Sequence, residues 1–167
     1  MNPTPQLAAF LTSLGYDQDP ECQHTAQKVT RFLQSWSPHT PAPSLEICDY
    51  QGNAPILLRD LRFYSLCAHH LLPFFGHADI LHLPSGKIAG LGAFAHTLKH
   101  FCQRPQIQER LTEQVASHLH DALGGAILVR LKGRHLCMEM RGAENSPLVE
   151  TIAVRGCEAS ELLGWLR

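Results

Sequence analysis

Residues 63–74 read Phe63-Tyr64-Ser65-Leu66-Cys67-Ala68-His69-His70-Leu71-Leu72-Pro73-Phe74. Cys67 and His70 offer a thiolate and an imidazole three residues apart, and these are the usual zinc donors. A second stretch, Arg134-His135-Leu136-Cys137, offers another imidazole and another thiolate. Cys67, His70 and Cys137 would make three protein ligands with a fourth position open, which is what separates a catalytic zinc from a structural one. His69 and His135, beside or nearly beside the ligands, are then left for proton transfer. Cys-x-x-His alone is a weak pattern, because cysteine is often buried without binding anything. Two features strengthen it: both cysteines have histidine neighbours, and both fall at or in a predicted strand, where the backbone is well fixed. Cys22, Cys48, Cys102 and Cys157 lack such neighbours and read as packing or surface thiols.

The surrounding composition is that of an ordinary globular chain. It has 167 residues, 44% of them apolar and 17% charged, enough for one domain with a real core. A formal net charge of −1 gives no electrostatic support to a nucleic-acid or anionic-membrane role. Met1-Asn2-Pro3-Thr4-Pro5 carries neither the basic region nor the apolar core of a secretory leader, and no apolar run reaches the length of a membrane span. The expectation is a cytoplasmic, reduced protein whose cysteines bind metal, catalyse or pack.

Residues 56–66 read as a strand that runs straight into Cys67, and 75–83 as another. Pro84-Ser85-Gly86-Lys87 is a turn, with 88–91 expected to return as the hairpin partner of 75–83. Residues 92–101 read as a helix with Leu91, Phe94, Leu98 and Phe101 in register. A longer helix is expected from about Pro105, with Ile107, Leu111, Val115, Leu119 and Ala122 as its apolar stripe and Gly124-Gly125 as its end. Residues 126–131, 136–140 and 149–154 read as further strands. Upstream, 6–14 and 25–36 read as helices joined to the rest through Pro38, Pro41 and Pro43. The fold class is therefore α+β, helices on one face of an antiparallel sheet. We expect an N-terminal helical segment, 1–50, and a main region, 51–167, within one structural domain. Such a sheet leaves free edges that other copies could cover.

Residues 63–74, 103–112 (Gln103-Arg104-Pro105-Gln106-Ile107-Gln108-Glu109-Arg110-Leu111-Thr112) and 134–142 (Arg134-His135-Leu136-Cys137-Met138-Glu139-Met140-Arg141-Gly142) together resemble the GTP cyclohydrolase I family in order and spacing. By pattern alone, Gln108-Glu109-Arg110 is a solvated helix turn and Arg141 a surface residue. The resemblance implies more: a tunnelling fold, with copies joined edge to edge into barrels and the barrels stacked as decamers, sites at subunit boundaries. It implies zinc on Cys67, His70 and Cys137, with His69 and His135 as the acid–base pair. Glu109 and Gln108 are expected to face guanine, and Arg141 to contact phosphate. The implied reaction is hydrolytic opening of the purine imidazole ring at C8, loss of formate and closure to dihydroneopterin triphosphate.

The sequence departs from the family at one segment. The family's phosphate-binding Gly-Leu-Ser-Lys, followed by an arginine, is here Gly90-Leu91-Gly92-Ala93-Phe94-Ala95-His96. Gly92, Ala93 and His96 replace serine, lysine and arginine, and Ala68 replaces a glutamate beside the zinc cysteine. Charge-assisted contacts contribute about 1.5–3 kcal/mol each, so losing two cations weakens triphosphate binding on the order of a hundredfold. Three readings follow. One is a zinc hydrolase of guanine-type purines without the triphosphate (nucleoside, monophosphate, free base or oxidised purine). Another is an ordinary GTP cyclohydrolase I with phosphate cations from elsewhere, such as Lys87, Lys99, Arg104 or a neighbouring subunit. The third is a non-catalytic purine- or pterin-binding regulator, which the intact zinc and histidine set disfavours.

Overall fold

The structure is a computed structural model that describes residues 2–36 and 41–166. The chain forms two compact units, Met1–Thr40 and Pro41–Arg167. The first is a helical hairpin of α1 (Thr4–Ser13) and α2 (Thr25–Ser35). Its apolar positions recur at helical spacing, but only Ala26 and Thr30 of these two helices are buried. The sequence suggests a division at 50/51, whereas the structure divides at 40/41. The reason is β1 (Ile47–Asp49), which pairs with β4 (Lys87–Ala89) and so belongs to the second unit.

The second unit is built on β2 (Ile56–Cys67), β3 (Pro73–Leu83), β6 (Ala126–His135) and β7 (Val149–Arg155), antiparallel in that order. A short β5 (Pro105–Gln106) adds in parallel beside Leu66–Cys67. Side chains alternate faces along each strand. Phe63, Phe74, Ala78, Ile80, Ile127, Val129, Leu131 and Ala153 share the core with α3 (Leu91–Cys102) and α4 (Gln108–Leu123). Leu111, Val115 and Leu119 recur every fourth residue and are fully buried. Each such side chain contributes roughly 1.5–3 kcal/mol by leaving water. The fold is thus α+β with two helices on one face of an antiparallel sheet. The other face carries the buried Asp79–Arg130 ion pair, where Arg130 Nε donates to Asp79 at 3.0 Å. Burial alone would raise the Asp79 pKa, but bonds from Arg130 and the Asp60 backbone hold it below the ordinary carboxylate value.

Three expectations need correction. Lys87–Ala89 does not pair with β3, because β2 and β6 already occupy both edges of β3. Residues 136–140 are not a strand. The last rung of the β3–β6 ladder is Phe74↔His135, and Pro73 beyond it has no N–H to offer. The chain therefore coils into the short helix α5 (Leu136–Glu139), closed by Met140 N–H donating to Leu136 O at 2.9 Å. The long helix starts at Gln108 instead of Pro105, since Pro105–Gln106 is drawn into the sheet and Ile107 is extended (φ −109°, ψ 145°).

Candidate metal centre and active site

Cys67 ends β2, and Ala68–His70 turn the chain back toward β3. Cys67 N–H donates to Leu72 O, and Leu71 N–H donates to Cys67 O, both at 2.8 Å. Leu71 closes the turn in the left-handed region (φ 54°). This is uncommon for a branched side chain, and the two bonds across the turn hold it there. Ala68 N–H donates to Gln106 O at 2.8 Å, tying the turn to β5. The turn thereby brings His70 back over Cys67, with Cys67 Sγ 3.6 Å from His70 Nδ1. The α5 coil that replaces the expected strand supplies Cys137.

The donor atoms of Cys67, His70 and Cys137 all lie within 4.8 Å of one another. Among the described residues, no other group of three or more Cys, His, Asp or Glu converges in this way. A tetrahedral zinc with ordinary Zn–S and Zn–N bonds separates sulfur from nitrogen by about 3.6 Å. The Cys67–His70 distance matches that, and two sulfurs with one nitrogen are a donor set zinc accepts. Burial raises the Cys137 thiol pKa, and the neighbouring Cys67 raises it further. A cation between the two sulfurs would relieve that opposition.

His69 Nδ1 is 3.8 Å from the same Cys67 sulfur but is not one of the converging three. His135 lies across the ladder from Phe74, and the two rings stack with centroids 4.9 Å apart and planes 4° apart. Its Nε2 is 2.9 Å from Gln108 Oε1. Burial lowers the His135 pKa, while Glu109 and Glu139 partly oppose this. Cys67, His69, Phe74, Gln108, Glu109, His135 and Cys137 line one cavity of about 230 Å³. Glu109, in the first turn of α4, is exposed to it.

Gln108 is 1% exposed. Its amide nitrogen donates to Val149 O at 2.9 Å and Thr151 Oγ1 at 3.1 Å, bonds that the sequence reading did not foresee. Arg141 is exposed; its charge reaches Cys137, but it does not line the cavity. Gly92, Ala93 and His96, from the departing segment, line a different cavity of about 310 Å³ with Glu46 and Thr97. Glu46 came from no motif. Its place at that cavity follows from β1 pairing with β4, a contact hidden in the sequence.

These features define an α+β protein with a Cys–His–Cys group placed to hold a metal and two histidines beside it. The sequence model of the GTP cyclohydrolase I family matches residues 4–162, and the chain belongs to that family. GTP cyclohydrolase 1 of Aquifex aeolicus (strain VF5) is 39% identical over 151 residues, covering 88% of this chain and 82% of the relative. GTP cyclohydrolase 1 of Streptococcus sanguinis (strain SK36) is 35% identical over 165 residues, covering 93% and 88%. Among solved structures, archaeosine synthase QueF-Like in the apo form aligns with a TM-score of 0.49 and 15% identity, over 65% of this chain and 99% of that one. Among the described residues, no helix is long and apolar enough to cross a membrane.

Proposed function

We propose that this chain is a zinc hydrolase of the GTP cyclohydrolase I type that opens the imidazole ring of a guanine-type purine without requiring a 5′-triphosphate. Cys67, His70 and Cys137 would hold the zinc. Bound there, zinc would supply Lewis acidity and lower the pKa of a water to near neutrality. The remaining work falls to the chain's own residues. The Glu109 carboxylate accepts from guanine N1–H and the 2-amino group, two adjacent donors. His135, stacked on Phe74, moves a proton at the purine N7. His69, whose Nδ1 is 3.8 Å from the Cys67 sulfur, is the second proton-transfer group. Arg141 is the cation available to a single phosphate. The working form is a cytoplasmic homo-oligomer, a decamer on the family pattern, with sites at subunit boundaries.

One observation carries the reading. Cys67, Cys137, His135 and Glu109 share a cavity, while the departing segment lines another that, among the described residues, offers Glu46 and a histidine but no lysine or arginine. The relatives' name, GTP cyclohydrolase 1, favours a second reading, ordinary turnover of GTP with cations drawn from a neighbouring subunit. Formate release from guanine, guanosine, GMP, GTP and 8-oxo-purines separates the two. Equal or greater kcat/KM without the triphosphate supports the first; a clear preference for GTP establishes the second. Formate from none of them leaves the non-catalytic regulator.

A further inference from the structure

We infer that Gln108 is a positioning residue for His135: its buried side-chain oxygen accepts from Nε2–H and, with Phe74 stacked on one face, holds the imidazole in one orientation. This rests on the reading of His135 as a proton-transfer group. It replaces the expectation that Gln108 faces guanine.

The orientation of the Gln108 amide is settled by its surroundings. Its nitrogen faces Val149 O at 2.9 Å and Leu131 O at 3.3 Å, and carbonyl oxygens only accept. The hydroxyls nearby agree. Thr112 Oγ1 donates to the Gln108 backbone oxygen at 2.7 Å. Its one proton is then used, so at the 2.6 Å contact between Thr112 and Thr151 the donor is Thr151. Thr151 Oγ1 therefore accepts from the Gln108 amide nitrogen at 3.1 Å. Every bond in this ring points the same way, and Gln108 Oε1 is left facing His135 Nε2 at 2.9 Å. An amide oxygen has no proton to give. The proton is therefore on Nε2, and His135 is the donor in this bond.

The sequence has made room for this contact. A Cβ built on Gly133 would lie 2.2 Å from Gln108 Oε1 and 3.4 Å from Phe63. Any other residue at 133 would displace the amide or bend β6. Phe74, stacked flat on the imidazole, fixes the plane that the hydrogen bond leaves free to tilt. Gln108 thus holds the ring from one end and Phe74 from one face. An imidazole so held needs no reorganisation when it exchanges a proton.

The experiment uses zinc-loaded protein with 15N-labelled histidine. His135 is assigned by the signals that vanish in His135→Ala. Long-range 1H–15N correlations should show His135 protonated at Nε2, with slow exchange. Both Gln108→Met, which removes the amide, and Gly133→Ala, which displaces it, should abolish the slow exchange. On the substrate that gives most formate, each should lower kcat by about 10²-fold, with KM within about twofold and zinc content unchanged. A Gln108→Met protein with raised KM and preserved kcat would return Gln108 to purine recognition and overturn the inference. So would a His135 whose Nε2 carries no proton in the unmodified protein. Full turnover in His135→Ala would instead overturn the proton-transfer reading, whereas an inactive His135→Ala beside an unimpaired Gln108→Met would remove only the role of Gln108.

Discussion

Cys102 and Cys137 carry the same thiol in opposite settings. Burial alone pushes the Cys102 pKa up to about 12, so it stays a thiol and packs. Cys137 faces Cys67, and a metal is what would reconcile the pair. The protein should therefore purify with about one zinc per chain. Cys67→Ala and Cys137→Ala should each lose it, and Cys102→Ala should keep it, by metal analysis of folded protein. Zinc retained by both ligand variants would refute the assignment. His135→Ala should keep zinc and fold but lose about 10²–10⁴-fold in turnover, and His69→Ala should behave likewise. Loss of zinc from either would mean that ligand and catalyst have been interchanged; His69, 3.8 Å from the Cys67 sulfur, is the residue most exposed to that outcome. The donor residues were legible in the sequence because Cys-x-x-His and His-x-Cys are short patterns with their own chemistry. The bond from His135 to Gln108 was not. The two lie 27 residues apart, and their contact depends on Gly133, which in sequence is only a glycine inside a strand.

At the level of elements, periodicity made β2, β3, α3 and α4 legible. It failed where an element depended on a partner. Lys87–Ala89 could pair only with an edge strand, and β3 had no edge left. Residues 136–140 read as a strand on composition, but the ladder had ended at His135. Leu91 fitted the helical stripe of α3, yet it is 62% exposed, because the helix meets the sheet along Phe94, Thr97, Leu98 and Cys102. The contact between β3 and α3 also holds a group that no pattern announced. His82 is fully buried beside Phe94, with ring centroids 6.2 Å apart. Neither of its ring nitrogens closes a hydrogen bond of ordinary geometry, although the Gly124 backbone offsets part of the burial. Burial lowers its pKa from the ordinary 6.5. The unfolded chain then takes up this proton near 6.5 while the folded chain still resists it. Above that pH both states are neutral and nothing is lost; below it, stability falls as pH falls. The urea midpoint should drop between pH 7.5 and 5.5, and His82→Leu should flatten that drop. An equal drop in both proteins would show that His82 is not its source.

For the whole molecule, two features bear on assembly. β7 ends the sheet, and β5 covers only Leu66–Cys67 at its other side, so among the described residues most of β2 and all of β7 present an unpaired edge. Tyr64 and Phe75 stack on the face away from the helices, with Tyr64 59% exposed, and Ile152 is exposed there too. Unpaired edges beside exposed aromatic surface are what association covers. Sedimentation should give a particle several times the 18.6 kDa chain, about tenfold for the family's decamer. A monomer at micromolar concentration would refute it.

Substrate choice belongs to the same scale, because the two cavities of one chain carry different chemistry. Glu109 in the metal cavity has guanine's donors to pair with, whatever the substrate's tail. The other cavity, with Gly92, Ala93, His96 and Glu46, has among the described residues no permanent cation on its walls and one carboxylate. A triphosphate placed there would meet a like charge and lose the roughly 1.5–3 kcal/mol that each missing charge-assisted contact contributes. His96 lacks the guanidinium's paired donors. The unmodified protein should therefore have kcat/KM on a triphosphate-free guanine substrate equal to or above that on GTP. Glu109→Ala should abolish activity on both, since the ring's donors would be buried without an acceptor. Joint Ala93→Lys and His96→Arg should shift preference toward GTP by about a hundredfold, the inverse of two lost cations. If the double variant leaves the ratio unchanged, this segment does not touch the substrate's tail, and phosphate selection must be sought on other residues.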